Sequence, residues 1–394
     1  MTGAAHGLGL EFSSLAYSSH MAPGHRVGIV GGGQLAVMMA DAADDLGLEI
    51  TSLAQVADDP IFSFGRQGFV GDALALDDLR QLASNSDVLT FDHELVDFRV
   101  LAQLETEGVI VRPGSTTMAI ATDKERQFEL FERLGIAQPD TVVVSGLASA
   151  LDAISRFDGV AVLKTARGGY DGRGVLLDSS EAAVCEWFPA GQTTVLVQRR
   201  VDVEIEIAVQ VVRAHDGTMV TYSPVRTVQS DGMCSIVHIP ADIAPALEDE
   251  AMEIARKIAE AINVVGILAV EFFVLDGELL VNELAARPHN SGHLTIEASA
   301  TSQFENHLRA VTGLPLGPTD RIVPAAAMAN IVGQTRGEPQ DQSFRPEISV
   351  HMYGKTPRPG RKLGHVTAIA DTTDQAIERA LDAAKELEQE PEML

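Results

Sequence analysis

Glu271 and Glu283 lie on the two arms of a segment that Asp276-Gly277 folds back on itself, a dipeptide suited to a hairpin turn. Glu271 interrupts Ile267-Leu268-Ala269-Val270-Glu271-Phe272-Phe273-Val274, a run that reads as a buried strand, where a carboxylate is costly without a cation beside it. Two such acids can hold one or two magnesium ions against nucleotide phosphates, because magnesium takes carboxylate, phosphate and water oxygens together. A plain two-residue turn would set Glu271 opposite Asn282 and send Glu283 to the other face. The spacing therefore predicts a three-residue loop, Leu275-Asp276-Gly277, with a bulge at Gly277 that returns both acids to one face. A solvated strand edge is the other reading. Directly downstream, Arg287-Pro288-His289-Asn290-Ser291-Gly292-His293 concentrates a guanidinium, two imidazoles, an amide and a hydroxyl. That set suits a small anion, with Arg287 binding a carboxylate or carbonate bidentately and His289 or His293 able to move a proton. His293 also reads as a structural group at the start of the next helix.

Two glycine-rich segments could cradle phosphates. Lys164-Thr165-Ala166-Arg167-Gly168-Gly169-Tyr170-Asp171-Gly172-Arg173-Gly174 stands between strand-like runs at 160–163 and 175–177. Its amides can fold over a triphosphate while Lys164 stays on the strand as a fixed charge, although no Gly-Lys-Ser/Thr of the Walker pattern follows. A flexible hairpin tip is the alternative, but four glycines carry more ordering entropy than a plain turn requires. Gly31-Gly32-Gly33-Gln34-Leu35-Ala36 follows one strand and opens a helix, the setting of a dinucleotide fingerprint. The second strand ends in Thr51-Ser52-Leu53-Ala54, without the acid that would take a ribose. A substrate phosphate at the helix N-terminus is the preferred reading, beside a structural turn and a dinucleotide site. Tyr353-Gly354-Lys355 and Arg358-Pro359-Gly360-Arg361-Lys362 form the densest basic stretch, either a solvated face or a receiver for a phosphate monoester.

The elements that must position these groups change character along the chain. Apolar runs alternate with helical segments at 27–30, 34–46, 50–53, 77–83 and 88–91, which predicts an α/β domain with a parallel sheet over 25–121. Over 122–318 a helix at 122–134 leads into hairpin-paired strands of α+β type, with helices at 245–262 and 304–312. Residues 319–394 read as a small β-rich domain closed by a helix at 373–387, and 1–24 as a disordered extension with Met21 as a candidate start. The 29 Lys+Arg against 56 Asp+Glu give a net charge of -27, which argues against nucleic acid and anionic membranes as partners. Cys185 and Cys234 stand apart from any ligand pattern, and no apolar run reaches bilayer length, so a reducing cytoplasm is expected.

Gly168-Gly169-Tyr170-Asp171-Gly172-Arg173-Gly174, Asn282-Glu283-Leu284-Ala285 with the Arg287 to His293 segment, Thr301-Ser302-Gln303-Phe304-Glu305, and Arg358-Pro359-Gly360-Arg361-Lys362 together resemble the ATP-grasp carboxylases that act on an aminoimidazole ribonucleotide of purine synthesis. The resemblance spans nearly all of 26–366. It implies a Rossmann-like preATP-grasp domain, an ATP-grasp domain of two lobes and a β-rich C-terminal domain, assembled as a homodimer. It implies ATP, magnesium, bicarbonate and 5-aminoimidazole ribonucleotide as ligands, and a ligase that passes through carboxyphosphate.

By the same resemblance ATP would meet Lys124, Lys164, Gly169, Tyr170, Asp171, Gly172, Arg173, Gly174, Gln198, Arg199, Arg200, Val201, Glu206, Gln229, Asn282 and Glu283. Glu271 and Glu283 would carry magnesium. Gly33, Gln34, Leu35, Glu94, Tyr170, Arg173, Lys355, Arg361 and Lys362 would hold the ribonucleotide, and Arg287, His289 and Asn290 the bicarbonate, with Asp171 and Lys164 also in the chemistry. In place of the family's common Phe-Glu-Asn this chain has Phe91-Asp92-His93-Glu94-Leu95. Competing expectations are a formate-using glycinamide ribonucleotide transformylase, a biotin carboxylase, or a non-catalytic nucleotide-binding regulator, which would be expected to lose one of Lys164, Glu271, Glu283 or Arg287.

Overall fold

The computed structural model describes residues 26–168, 174–188, 194–230, 233–333 and 346–388. Its first sheet is parallel, in the order Gly68–Val70, Glu49–Ala54, Arg26–Val30, Val88–Phe91. The runs Val27–Val30 and Val88–Phe91 read Val-Gly-Ile-Val and Val-Leu-Thr-Phe and are buried throughout, as strands covered on both faces must be. Strand order reverses beside Arg26–Val30, and such a switch point opens a crevice at the carboxyl ends of the strands. The two loops that leave there carry Gly31 to Gly33 and Asp92 to Glu94. Helix Gln34–Leu46 closes one side by burying Leu35, Met38 and Met39 in a cluster with Phe304, Leu308 and Val311 of helix Gln303–Thr312.

A second, antiparallel sheet runs Thr141–Ser145, Thr194–Arg199, Ala161–Thr165, Val175–Leu176. Helices Leu147–Arg156 and Glu181–Trp187 cover one of its faces through Ala150, Ile154 and Val184, packed on Leu163, Val195 and Val197. The third sheet has nine strands among the described residues. Its main order is Glu278–Ala285, Gly266–Leu275, Ile205–Arg213, Val225–Ser230, Met233–Ile239, Ala325–Gly333, Arg361–Ala370, Ile348–Met352, with Met219–Thr221 paired on Ile205–Arg213. The C-terminal strands thus extend the sheet that bears the acid hairpin, through Ile236 to Ile239 against Ala326 to Ala329. Helix Pro245–Ala261 starts on a proline, which needs no amide partner there, and buries Ala251, Ala255, Ile258 and Ala259 at helical spacing.

His307 joins these parts. Its ring is fully buried, with Nδ1 accepting from the Ile267 amide at 3.2 Å and Nε2 at 2.7 Å from Thr90 Oγ1 in the first sheet. Gly266, at φ 121°, leaves the ring its place: a β-carbon there would lie 3.0 Å away. Burial pushes the imidazole down from 6.5 to about 3, so it stays neutral in the fold while the unfolded chain takes up a proton below about 6.5. The stabilisation is therefore present above pH 6.5 and lost progressively as pH falls towards 3. His307→Gln is expected to flatten the fall of the thermal midpoint across that window relative to the unsubstituted protein. Parallel pH curves for the two would contradict the assignment.

Candidate active site

The acid hairpin turns on two residues, not three. Leu275 pairs with Glu278, and Asp276 and Gly277 both take left-handed φ, 52° and 75°, a turn whose twist suits two antiparallel strands. The expected bulge at Gly277 is thus corrected: the register slips further in, between Glu271 and Phe272, where Phe272 pairs with Val281, Glu271 with Glu283, and Asn282 is the extra residue. The consequence for the acids is the one foreseen. Asn282, set free of the ladder, donates from Nδ2 to Glu271 Oε2 at 3.2 Å and accepts from Lys164 Nζ at 2.8 Å. Glu206 stands on the next strand, and since Glu271 pairs with Ala208 and Phe273 with Glu206, it shares the face of Glu271.

Two lysines meet these acids from other elements. Lys124 opens helix Lys124–Leu134, capped by Asp123, and its ammonium bonds Glu283 Oε1. Lys164 comes from strand Ala161–Thr165 of the second sheet. Burial raises Glu271 to about 7, reinforced by the charges of Glu283 and Glu206. Burial also pushes Glu283 up, yet it ends below the usual carboxylate range because Lys124 and Lys164 stand beside it. Lys164 falls to about 8 through burial and the nearby Lys124. Among the described residues no group of three or more His, Cys, Asp or Glu is arranged to hold a metal ion on protein donors alone. Two carboxylates and an amide oxygen form a hard, oxygen-only set, and the raised Glu271 is a carboxylate short of positive charge. That set fits magnesium completed by phosphate oxygens.

The residues expected to hold a small anion come directly after strand Glu278–Ala285. Arg287 places Nη2 3.5 Å from Glu94 Oε2 and donates from Nη1 to the Pro288 carbonyl, while its Nε is buried without a hydrogen-bond partner among the described residues. Glu94 also accepts from the Ala286 amide at 3.2 Å, and burial raises it against the pull of Arg287. His289 Nδ1 lies 2.8 Å from Ser291 Oγ and accepts from the Ser291 amide at 3.4 Å, which leaves the neutral ring's proton on Nε2, 3.6 Å from Glu271 Oε1. Asn290 exchanges two hydrogen bonds of 3.1 Å with Asn330 of strand Ala325–Gly333.

Other expected contacts fall into place unevenly. Lys355 bonds Gln34 Oε1, so the basic C-terminal stretch meets the start of the first helix, and Arg361 donates to the Thr356 carbonyl at 3.0 Å. Lys362 follows Arg361 on strand Arg361–Ala370. Gly33 gives its amide to Asp92 Oδ2 at 2.6 Å, so the first amide of the expected phosphate cradle is already held by a carboxylate. Leu35 buries its side chain in the core, which leaves it only a backbone role. Lys164 pairs with Leu196 and Val162 with Gln198, so Lys164 and Gln198 are on opposite sides of the pleat from Arg199. The Arg199 side chain lies against Asp140, Asp158 and the Phe157 ring. Arg200 is exposed and donates its amide to Val160, Val201 is half-buried, and Glu206 accepts from Gln229 at 2.8 Å. Gly174 closes the glycine loop by accepting the Thr165 amide at 2.8 Å. Gly169, Tyr170, Asp171, Gly172 and Arg173 lie outside the described residues.

Asp92, Ser291 and Gln303 stood out in the sequence only as members of longer motifs, without a role of their own, and Asn330 did not stand out. An acid at the carboxyl end of the apolar strand Val88–Phe91 was the available signal for Asp92. Gly31 confirms its proximity: with φ 122° a β-carbon there would sit 1.6 Å from Asp92 Oδ1.

Residues 24–122 match the ribonucleotide synthetase preATP-grasp domain, 129–304 the ATP-grasp domain, and 326–379 the phosphoribosylaminoimidazole carboxylase C-terminal domain. Two sheets that bring a strand lysine against an acid hairpin, in a chain so matched, define an ATP-dependent ligase of the ATP-grasp class. The chain is 40% identical over 385 residues to N5-carboxyaminoimidazole ribonucleotide synthase of Mycobacterium tuberculosis, covering 94% of this chain and 89% of that one. It belongs to the N5-carboxyaminoimidazole ribonucleotide synthase family. Among solved structures, an N5-carboxyaminoimidazole ribonucleotide synthetase bound to ADP matches with TM-score 0.84 and 33% identity, over 94% of this chain and 99% of that one. The enzyme of Aspergillus clavatus in complex with ADP and 5-aminoimidazole ribonucleotide matches at 0.82 and 29%, over 91% and 98%.

Proposed function

We propose that this site joins bicarbonate to 5-aminoimidazole ribonucleotide at the expense of ATP, giving N5-carboxyaminoimidazole ribonucleotide, ADP and phosphate in purine synthesis. The observation that carries the reading is the Asn282 bulge, which turns Glu271 and Glu283 to one cluster with Lys124 and Lys164, one short strand segment before the unanswered Nε of Arg287. ATP phosphates belong at Lys124 and Lys164. Magnesium, held by Glu271 and Glu283, would neutralise charge on the transferring phosphoryl group.

Arg287 and the Nε2 proton of His289 hold bicarbonate so that one of its oxygens attacks the γ-phosphorus and ADP leaves. The carboxyphosphate formed must be kept from water until the exocyclic amine of the ribonucleotide takes its carbon, releasing phosphate and a proton. No protein nucleophile is required. Lys164, lowered to about 8 and still largely charged at neutral pH, answers the charge that builds on the phosphoryl oxygens. The ribonucleotide's phosphate is assigned to Lys355 with Arg361 and Lys362, at the start of the first helix and the loop that carries Asp58 and Asp59. The resemblance also carries a homodimer working in the cytoplasm, which sedimentation and fractionation test.

The class of acceptor is tested by ADP release from ATP, magnesium and bicarbonate with 5-aminoimidazole ribonucleotide, against glycinamide ribonucleotide plus formate, and against biotin. Stimulation by the aminoimidazole compound alone is expected; stimulation by another acceptor overturns the substrate. Lys355→Ala is expected to raise the KM for the ribonucleotide roughly tenfold with the KM for ATP unmoved, since a charge-assisted phosphate contact is lost. An equal loss for both ligands contradicts a dedicated phosphate contact. A proton must leave Glu271 before it ligates a metal, so the magnesium needed for half-maximal rate is expected to climb as pH drops below about 7, by roughly tenfold per unit. A magnesium requirement that ignores pH between about 6 and 8 contradicts that role.

A further inference from the structure

We propose that Gln303 is a positioning residue for the anion pocket, a clamp that fixes the backbone of His289 and with it the aim of Arg287, His289 and Asn290. The inference rests on the placing of bicarbonate in that pocket.

Gln303 is the first residue of helix Gln303–Thr312 and is fully buried. Its side-chain amide pairs with one residue on both sides: Oε1 accepts from the His289 amide at 2.9 Å, and Nε2 donates to the His289 carbonyl at 2.8 Å. The arrangement copies a strand neighbour, supplied by a single side chain. It also fixes which end of the amide is which, because a flipped group would face N–H with NH2 and carbonyl with carbonyl. The second hydrogen on Nε2 then points to His293 Nδ1, 3.0 Å away. That nitrogen must accept, so His293 is neutral with its proton on Nε2, an atom buried without a partner among the described residues.

The clamp has a rigid base. The Gln303 amide donates to Thr295 Oγ1 at 2.9 Å, and that hydroxyl donates to the Gly292 carbonyl at 2.6 Å. Gly292 is obliged to lack a side chain, since a β-carbon would fall 2.4 Å from Gln303 Oε1. Arg287, confined by the proline that follows it, and Asn290 flank the clamped residue, so their directions are set from the helix rather than from the loop.

Gln303→Met keeps the volume and removes all three bonds. It is expected to lower kcat/KM for bicarbonate by roughly 10²-fold with the KM for ATP within about twofold, because a small misplacement of a binding group is enough for that loss. Gln303→Glu, measured alongside, keeps the acceptor for His289 N–H but sets an oxygen against the His289 carbonyl. That oxygen repels when ionised and donates when protonated, so the deficit of this variant is expected to narrow as pH falls, where general damage to the fold would leave it constant. In the unsubstituted protein, nitrogen-15 NMR is expected to show His293 Nδ1 unprotonated and Nε2 protonated. A protonated Nδ1, or bicarbonate kinetics in Gln303→Met within about twofold of normal while Arg287→Ala has lost them, overturns the clamp. If Arg287→Ala itself leaves bicarbonate kinetics intact, the placing of bicarbonate is wrong, and the His293 signal alone decides whether the clamp exists.

Discussion

Glu283→Gln is expected to lower turnover by roughly 10²-fold or more with the fold intact, since a neutral amide replaces the carboxylate proposed to bind magnesium at the centre of the cluster. The change is isosteric, and Glu283 Oε1 is the atom that Lys124 meets. Losing the negative charge therefore leaves the half-buried Lys124 and Lys164 with less to answer them and removes one of two acids from the phosphate side. Burial alone would have raised Glu283; the lysines hold it ionised, which is the state a metal ligand needs. Steady-state ADP release with bound ATP measured separately decides it. Near-normal turnover would remove Glu283 from the metal site, and a loss confined to ATP binding would assign it to nucleotide affinity instead.

Arg287→Ala is expected to lower kcat/KM for bicarbonate by roughly 10²- to 10³-fold, the largest effect after the metal ligands, because a preorganised fork of donors is removed. Its Nη2 already faces Glu94, whose carboxyl burial raises, so Glu94 acts as a weak counter-charge that leaves Nε for a second anion. Arg287→Lys should rescue little, since an ammonium lacks the planar pair of donors. Bicarbonate saturation curves at fixed ATP read the effect. A normal KM for bicarbonate in Arg287→Ala would move the anion site elsewhere.

Local pattern carried the elements whose stability is local. Helix Gln34–Leu46 and strand Val88–Phe91 agree with their expected limits because an amphipathic run and a buried apolar run each end at a glycine or an acid. Helix Gln303–Thr312 stops at Gly313 in the left-handed conformation, as a glycine followed by proline two residues on predicts. The acid pair was legible as a pair but not as a register. Whether the extra residue falls at Gly277 or Asn282 is settled by how Gly266–Leu275 also pairs with Ile205–Arg213, which turn chemistry does not report. The individual roles of Asp92 and Gln303, both inside quoted motifs, were illegible for a related reason. Each reaches a backbone far along the chain, Gly33 for one and His289 for the other, and side chain to backbone bonds of that kind leave no period in the sequence.

The central claim is that bicarbonate is activated by taking the γ-phosphoryl group of ATP at this site. Freshly prepared bicarbonate labelled with oxygen-18 tests it in a short reaction with ATP, magnesium and 5-aminoimidazole ribonucleotide, followed by mass analysis of the phosphate released. One labelled oxygen carried from bicarbonate into phosphate is the predicted result, because the attacking oxygen stays on phosphorus when the carbon is transferred. Phosphate that takes its new oxygen from water, formed alongside carboxylated product, would contradict it and leave ATP hydrolysis uncoupled from the carboxylation.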